Sequence, residues 1–134
     1  MKLTRASSYA LHALAFMAVQ KKDQAVASHQ IAHARGIPER FLLKVLMPLV
    51  RSRVLNSIKG PHGGYRLAKA PKDISLLEVL EAVDGVMSGQ GAITPDGMDA
   101  GLNKRLEKVY ASATEAVRQQ FQKVKIADLV GKGK

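Results

Sequence analysis

The strongest constraint on this chain is the punctuation between residues 28 and 69. Gly36 and Pro38 stand two residues apart between two short stretches of helical periodicity, and the run Gly60-Pro61-His62-Gly63-Gly64 divides two short alternating stretches. Glycine readily takes the left-handed backbone that ends a helix, and proline suits the start of the next. A glycine-rich run between alternating segments signals a hairpin. The segment therefore predicts helix, tight turn, helix and two-stranded hairpin in succession. A lone hairpin is marginal in water, so this one must lean on helices.

Flanking residues extend the pattern. Thr4 is a good N-cap for a first helix running to about Gln20, with Ala10, Leu11, Leu14, Ala15, Met17 and Ala18 as its apolar face. Ser28 is expected to cap the second helix, with Ile31 and Ala32 inward. Pro38 is expected in the first turn of the third helix, which buries Phe41, Leu42, Val45, Leu46 and Leu49. Pro48 inside that helix should bend it or loosen its last turn. Strands are predicted over 54–59 and 65–69. Ser75 caps a fourth helix with Leu76, Leu77, Val79, Leu80 and Val83 as core. Residues 85–101 hold five Gly and one Pro without periodicity, as expected of a flexible loop that is either functional or disordered. A long helix follows over 99–125, and the tail VGKGK is expected to be disordered.

Charge divides the chain. The formal net charge is +10, but residues 1–72 carry 13 Lys/Arg against 2 Asp/Glu, whereas residues 73–134 carry 8 against 9. A basic half of this kind suits a polyanionic partner, although a solvated basic surface would look the same. There is no Cys, which removes disulfides, thiolate metal sites and Cys nucleophiles from consideration. No apolar run approaches the roughly 20 residues of a membrane span, and no signal peptide is evident, so a cytoplasmic protein with no membrane partner is expected.

In a helix-turn-helix the second helix enters the major groove of DNA while the first crosses the backbone. Here the pair is 28–35 and 38–51. The outer face of the second member carries Glu39, Arg40, Leu43, Lys44, Met47 and Arg51. Arg40 and Lys44 sit near its N-terminal end, where side chains reach base edges; Arg can read guanine bidentately and Leu43 can rest on a thymine methyl. Both cations could equally touch only phosphates. Glu39 favours the helix start or is simply a surface acid. Ser28, Gln30 and Pro38 complete the helical candidates for DNA contact. The hairpin adds Lys59, His62, Gly63 and Arg66. In the long helix, Leu102, Leu106, Val109, Ala113, Val117 and Phe121 recur at steps of three and four. They form a stripe that either packs on its own core or pairs with a second copy; pairing is favoured, because a winged helix is already a closed core.

Three stretches resemble a known family: MKLTRASSYALHALAFMA, IAHARGIPERFLLKVLMPLV and KGPHGGYRLAKAPKDISLLEVLEAVDG. They are similar to the BadM-type winged-helix regulators, which include the iron–sulfur cluster regulator and the nitrite-sensitive repressor. GPHGGYRLA is the most specific piece, and the closing IADLV matches more weakly. The resemblance implies a dimeric DNA-binding regulator whose long helix crosses its partner's copy. It also implies recognition contacts over 38–44, wing contacts over 59–66 and a palindromic operator. In cluster-binding members the loop equivalent to 85–101 carries three Cys that hold a [2Fe–2S] cluster; here it reads GVMSGQGAITPDGMDAG. Such clusters need mostly thiolate ligands. Arg53 stands where the family usually has a small residue, which either alters the turn into the wing or adds a phosphate contact.

Other chemistries are weaker. His29 and His33 share a helix face at a spacing that suits two metal ligands, but no third ligand is evident, and no metal site is assigned. Glu78, Glu81 and Asp84 read as a solvated helix face, and no nucleophile–base spacing, P-loop or dinucleotide fingerprint is present, so no enzyme is expected. The fold class is therefore mainly α with a small β-hairpin. It divides into a winged helix-turn-helix DNA-binding domain (1–84), a flexible loop that could sense a small-molecule effector (85–101), and a dimerisation helix with its tail (102–134). The expected function is sequence-specific regulation, most simply repression, by a homodimer on double-stranded DNA without a cofactor. The alternative is a non-enzymatic adaptor or sensor whose basic face binds RNA or an acidic protein.

Overall fold

A computed structural model describes residues 2–21, 24–88 and 100–131. The first helix, α1 (Arg5–Ala18), is capped by Thr4, whose side-chain oxygen accepts the Ser7 N–H at 3.0 Å. Helix α2 (Ser28–Arg35) follows, but its cap is Ala27 rather than Ser28. Gln30 compensates, because its side-chain oxygen accepts the Ala27 N–H at 2.9 Å, and Ser28 becomes the first helical residue. Helix α3 (Glu39–Arg51) begins one residue later than predicted, with extended Pro38 as its cap. It runs through Pro48 to Arg51 without a break.

The end of α3 explains Arg53. The Val54 N–H donates to the Leu49 carbonyl at 2.9 Å and the Arg53 N–H to the Val50 carbonyl at 3.0 Å. That pairing is the Schellman closure, which places one residue in the left-handed region, usually glycine. Here it is Arg53, with φ of 66°. The closure turns the chain directly into strand β1 (Leu55–Ile58), which pairs antiparallel with β2 (Gly64–Leu67) in the register Leu55–Leu67 to Ile58–Gly64. Both strands are shorter than predicted.

A third segment completes the small sheet. Val26 and Tyr65 exchange both backbone hydrogen bonds at 2.8 Å, which pins the hairpin to the approach to α2. The GPHGG run is legible in these terms. A Cβ on Gly63 would overlap the Ile58 carbonyl, and one on Gly64 would overlap the carbonyl of Val26. The two glycines are thus required by backbone packing.

A 3₁₀ turn (Pro71–Asp73) leads to α4 (Leu76–Asp84). Its capping box is reciprocal: the Ser75 hydroxyl accepts the Glu78 N–H at 3.1 Å, and the Glu78 carboxylate accepts the Ser75 N–H at 2.9 Å. The long helix α5 (Ala100–Lys123) has no buried residue. Beyond it the chain does not trail away. The Leu76 N–H donates to the Val124 carbonyl at 2.7 Å and the Ile126 N–H to the Ile74 carbonyl at 2.9 Å. This seats a further helix, α6 (Ile126–Val130), against α1 and the 3₁₀ turn, with Ile126 1% exposed. The predicted helix to residue 125 therefore ends at Lys123, and Val130 of the predicted tail is helical. Residues 89–99 of the predicted loop and 132–134 of the tail lie outside the described residues.

The core joins α1, α2, α3, α4, β1 and α6. Leu14, Ile31, Leu42, Leu46, Leu49, Leu55, Ile74 and Ile126 are among its fully buried large side chains, and truncating any one to Ala typically costs about 2–5 kcal/mol. Phe41 does not join them; it was predicted on the buried face and stands 38% exposed. Leu76 and Val83 are also only half-buried.

Candidate nucleic-acid interface

The turn between α2 and α3 sets the geometry. Gly36 takes the left-handed conformation (φ 65°), the buried Ile37 donates its N–H to the Ala32 carbonyl at 3.0 Å, and Pro38 starts the next helix. The helix starts are tied across the turn by the Ser28 hydroxyl, which donates to the Glu39 carboxylate at 2.7 Å. Ser28 and Glu39, both proposed from sequence, therefore act on each other first.

Burying Leu42, Val45, Leu46 and Leu49 turns the opposite face of α3 outward. Glu39, Arg40, Leu43, Lys44, Met47 and Arg51 are all exposed. Arg51 donates from Nη2 to the Met47 sulfur at 3.0 Å. Arg40 and Lys44 flank the Phe41 ring, with the Arg40 guanidinium 4.8 Å and the Lys44 ammonium 5.7 Å from its centre. Among the described residues, neither Arg40, Lys44, Arg51 nor Lys59 has an acid within ion-pair distance. A row of cations without carboxylate partners is suited to phosphates.

The wing places its candidates unevenly. Lys59 and His62 are exposed on the turn side of the hairpin. Gly63 is half-buried and closes the turn with its N–H on the Gly60 carbonyl at 2.9 Å. Arg66 pairs in register with Asn56 and lines a groove of about 480 Å³ with the end of α1. Gln30 and Pro38 are exposed. Arg53, which the sequence raised as either a change in the turn or a phosphate contact, is exposed between α3 and β1. Arg5 and Tyr9 of α1 were not proposed at all; they wall a second groove of about 230 Å³ with Phe41 and Lys44.

The three acids of α4 are engaged rather than merely solvated. Glu78 pairs with Lys69 at 2.6 Å. Asp84 accepts the Ser7 hydroxyl at 2.6 Å and that of Thr4 at 2.9 Å, which ties the start of α1 to the end of α4. Glu81 accepts a two-point contact from Arg118 of α5, at 3.0 and 3.1 Å, and also the Met87 N–H at 3.0 Å. The Arg118 hydrogen bond and charge, with the Met87 N–H, hold the Glu81 carboxyl below its ordinary range, and partial burial opposes them. Glu81 in turn pushes the Arg118 guanidinium up.

One turn before Arg118, the Thr114 hydroxyl donates to the Ser88 carbonyl at 3.3 Å. Leu102, Leu106, Val109 and Ala113 are exposed, whereas Val117 and Phe121 are half-buried toward the body. His29 and His33 are exposed on α2, and no group of three metal-ligating side chains occurs among the described residues. Nor is any helix there long and apolar enough to cross a membrane.

The profile of the Rrf2 family, described as iron-dependent transcriptional regulators, matches residues 3–132. This chain belongs to the Rrf2 family. An Rrf2-like HTH-type transcriptional regulator of Rhodobacter capsulatus is 31% identical, over 98% of this chain and 93% of the relative. The regulator NsrR of Halalkalibacterium halodurans is 30% identical over 97% and 90%. Among solved structures, CymR, the global cysteine regulator of B. subtilis, superposes with a TM-score of 0.75 at 20% identity, over 97% of this chain and 96% of that one. IscR of T. potens gives 0.71 at 22% identity, over 97% and 86%. These likenesses fix the fold as a winged helix, and membership carries DNA-binding transcription regulation. The donor set of this Rrf2-family chain does not fit a thiolate-held cluster, because it contains no Cys.

Proposed function

We propose that this chain is a homodimeric repressor that reads a palindromic operator in duplex DNA with α3 and the wing, in the cytoplasm and without an iron–sulfur cluster. The observation that carries the proposal is the outer face of α3, where Arg40, Lys44 and Arg51 stand exposed and without carboxylate partners beside the basic wing. In this reading Arg40 and Lys44 reach base edges, and Leu43 and Met47 offer apolar contact to thymine methyls. Ser28, Gln30, Pro38, Lys59, His62, Gly63 and Arg66 lie along the backbone, where contacts set register. Glu39, which accepts from the Ser28 hydroxyl, would in this reading also accept from a cytosine amino group.

Residues 1–84 form the reading head and 102–134 supply the pairing element. Loop 85–101 is the place for an effector, because Glu81 joins Met87 to Arg118 and so links the start of that loop to α5. The exposed Leu106 and Val109 on α5 support pairing, and two-fold pairing would set two reading heads about 34 Å apart or a multiple of that. No enzymatic role is part of this reading: among the described residues Glu78, Glu81 and Asp84 serve a helix cap and packing contacts.

Selection from a random duplex DNA pool at near-physiological salt tests this directly. A palindromic motif is expected, and its half-site spacing reports the dimer. Binding that is sequence-blind and collapses as salt rises would overturn sequence-specific reading, and tighter binding to RNA would move the basic face to a different partner.

A further inference from the structure

We propose that Phe41 is a positioning residue for DNA recognition: its exposed ring is the platform that holds the Arg40 and Lys44 cations in the attitude from which they meet the duplex. The inference rests on the reading of α3 given above and adds to it how the two cations are oriented.

Three observations carry it. Phe41 occupies a position that helical period assigns to the core, four residues before Val45, yet 38% of it remains exposed while its neighbours Leu42, Val45 and Leu46 are buried. Arg40 and Lys44 approach this one ring at 4.8 and 5.7 Å, within the distance at which a cation is drawn to an aromatic face. Neither cation has an acid within ion-pair distance among the described residues, so the ring restrains them without neutralising them. A carboxylate in the same place would orient the cations equally well but cancel the charge that DNA requires. Long Lys and Arg side chains lose rotamer freedom on binding, and a side chain already held loses less. The ring also lines the groove of about 230 Å³ whose other wall is Arg5, Ala6 and Tyr9 of α1.

The test uses the full-length protein and the duplex recovered by selection, with Phe41→Leu, Phe41→Tyr, Arg40→Ala with Lys44→Ala, and the combination of that pair with Phe41→Leu. Leucine keeps apolar bulk but removes the aromatic face; tyrosine keeps the face. Phe41→Leu is expected to weaken binding about five- to tenfold with little change in unfolding midpoint, since each exposed contact contributes only a small factor. Phe41→Tyr should bind like the parent. In the Arg40→Ala, Lys44→Ala background, Phe41→Leu should cost nothing further, because a platform without cations has nothing to hold. The proposal is overturned if Phe41→Leu leaves affinity unchanged, or if its loss is the same size with and without the cations. Should the Arg40 and Lys44 pair itself prove silent, the reading of α3 fails too, and that outcome is distinct from failure of the platform alone.

Discussion

Arg53 and the paired glycines of the wing show how single residues set the recognition surface. Arg53 sits at φ 66°, where a side chain costs roughly 1 kcal/mol that glycine does not incur. Arg53→Gly should therefore raise stability by about 1 kcal/mol in urea unfolding. It should also weaken non-specific DNA binding and flatten its salt dependence, since an exposed cation beside the wing is lost. A midpoint that falls would mean that the side chain stabilises the turn by contacts of its own. Gly64 makes the opposite case. Its Cβ would meet the Val26 carbonyl, and that segment is held by two hydrogen bonds and cannot simply step aside. Gly64→Ala should cost more than 2 kcal/mol, and exchange of the Val26 and Tyr65 amides should accelerate more than that of α1.

Among the elements, α5 is tied to α4 by an ion pair that titrates. Glu81 is depressed below its ordinary value by Arg118, so its contribution is fully present above the usual carboxylate range. It is lost as pH falls through the depressed value. Glu81→Gln should lower the thermal midpoint at neutral pH and flatten its fall in acid; an acid limb as steep as the parent's would place the titration elsewhere. The same elements show what the sequence disclosed. Periodicity and caps located α1, the α2–α3 turn, the hairpin and α4, because these signals are local. The Val26 bridge, the docking of α6 and the partners of Glu81 and Asp84 join residues far apart in the chain, and nothing local marks them. Phe41 was misplaced because period alone puts it at the edge of the buried arc, where spacing does not decide which side is covered. Of the proposed interface, the exposure of the α3 cations was legible from helical spacing. The roles of Gly63 and Gly64 as backbone contacts were not, since a motif does not distinguish close packing from binding.

At the scale of the whole molecule, the open question is what covers α5. A helix with no buried residue and a row of exposed apolar side chains is poorly stable alone in water, because most helical stability in proteins comes from packing. The row divides in two. Val117 and Phe121 face partly toward the body, near the Arg118 anchor, so a charge there would damage the chain's own packing as well as any interface. Leu106 and Val109 are 41% and 63% exposed, so the described residues leave much of their apolar surface open to a partner. Leu106→Glu with Val109→Glu is thus the cleaner probe of pairing. Sedimentation should show monomers in place of dimers, and binding to a palindromic duplex should fall toward that of a single half-site. Because these two side chains stay largely exposed, unfolding of the core that joins α1–α4 and α6 should be nearly unchanged once dilution has dissociated the parent as well. A dimer that survives both charges would put the interface on another face, and the spacing of the two reading heads would then have to be set by something other than α5.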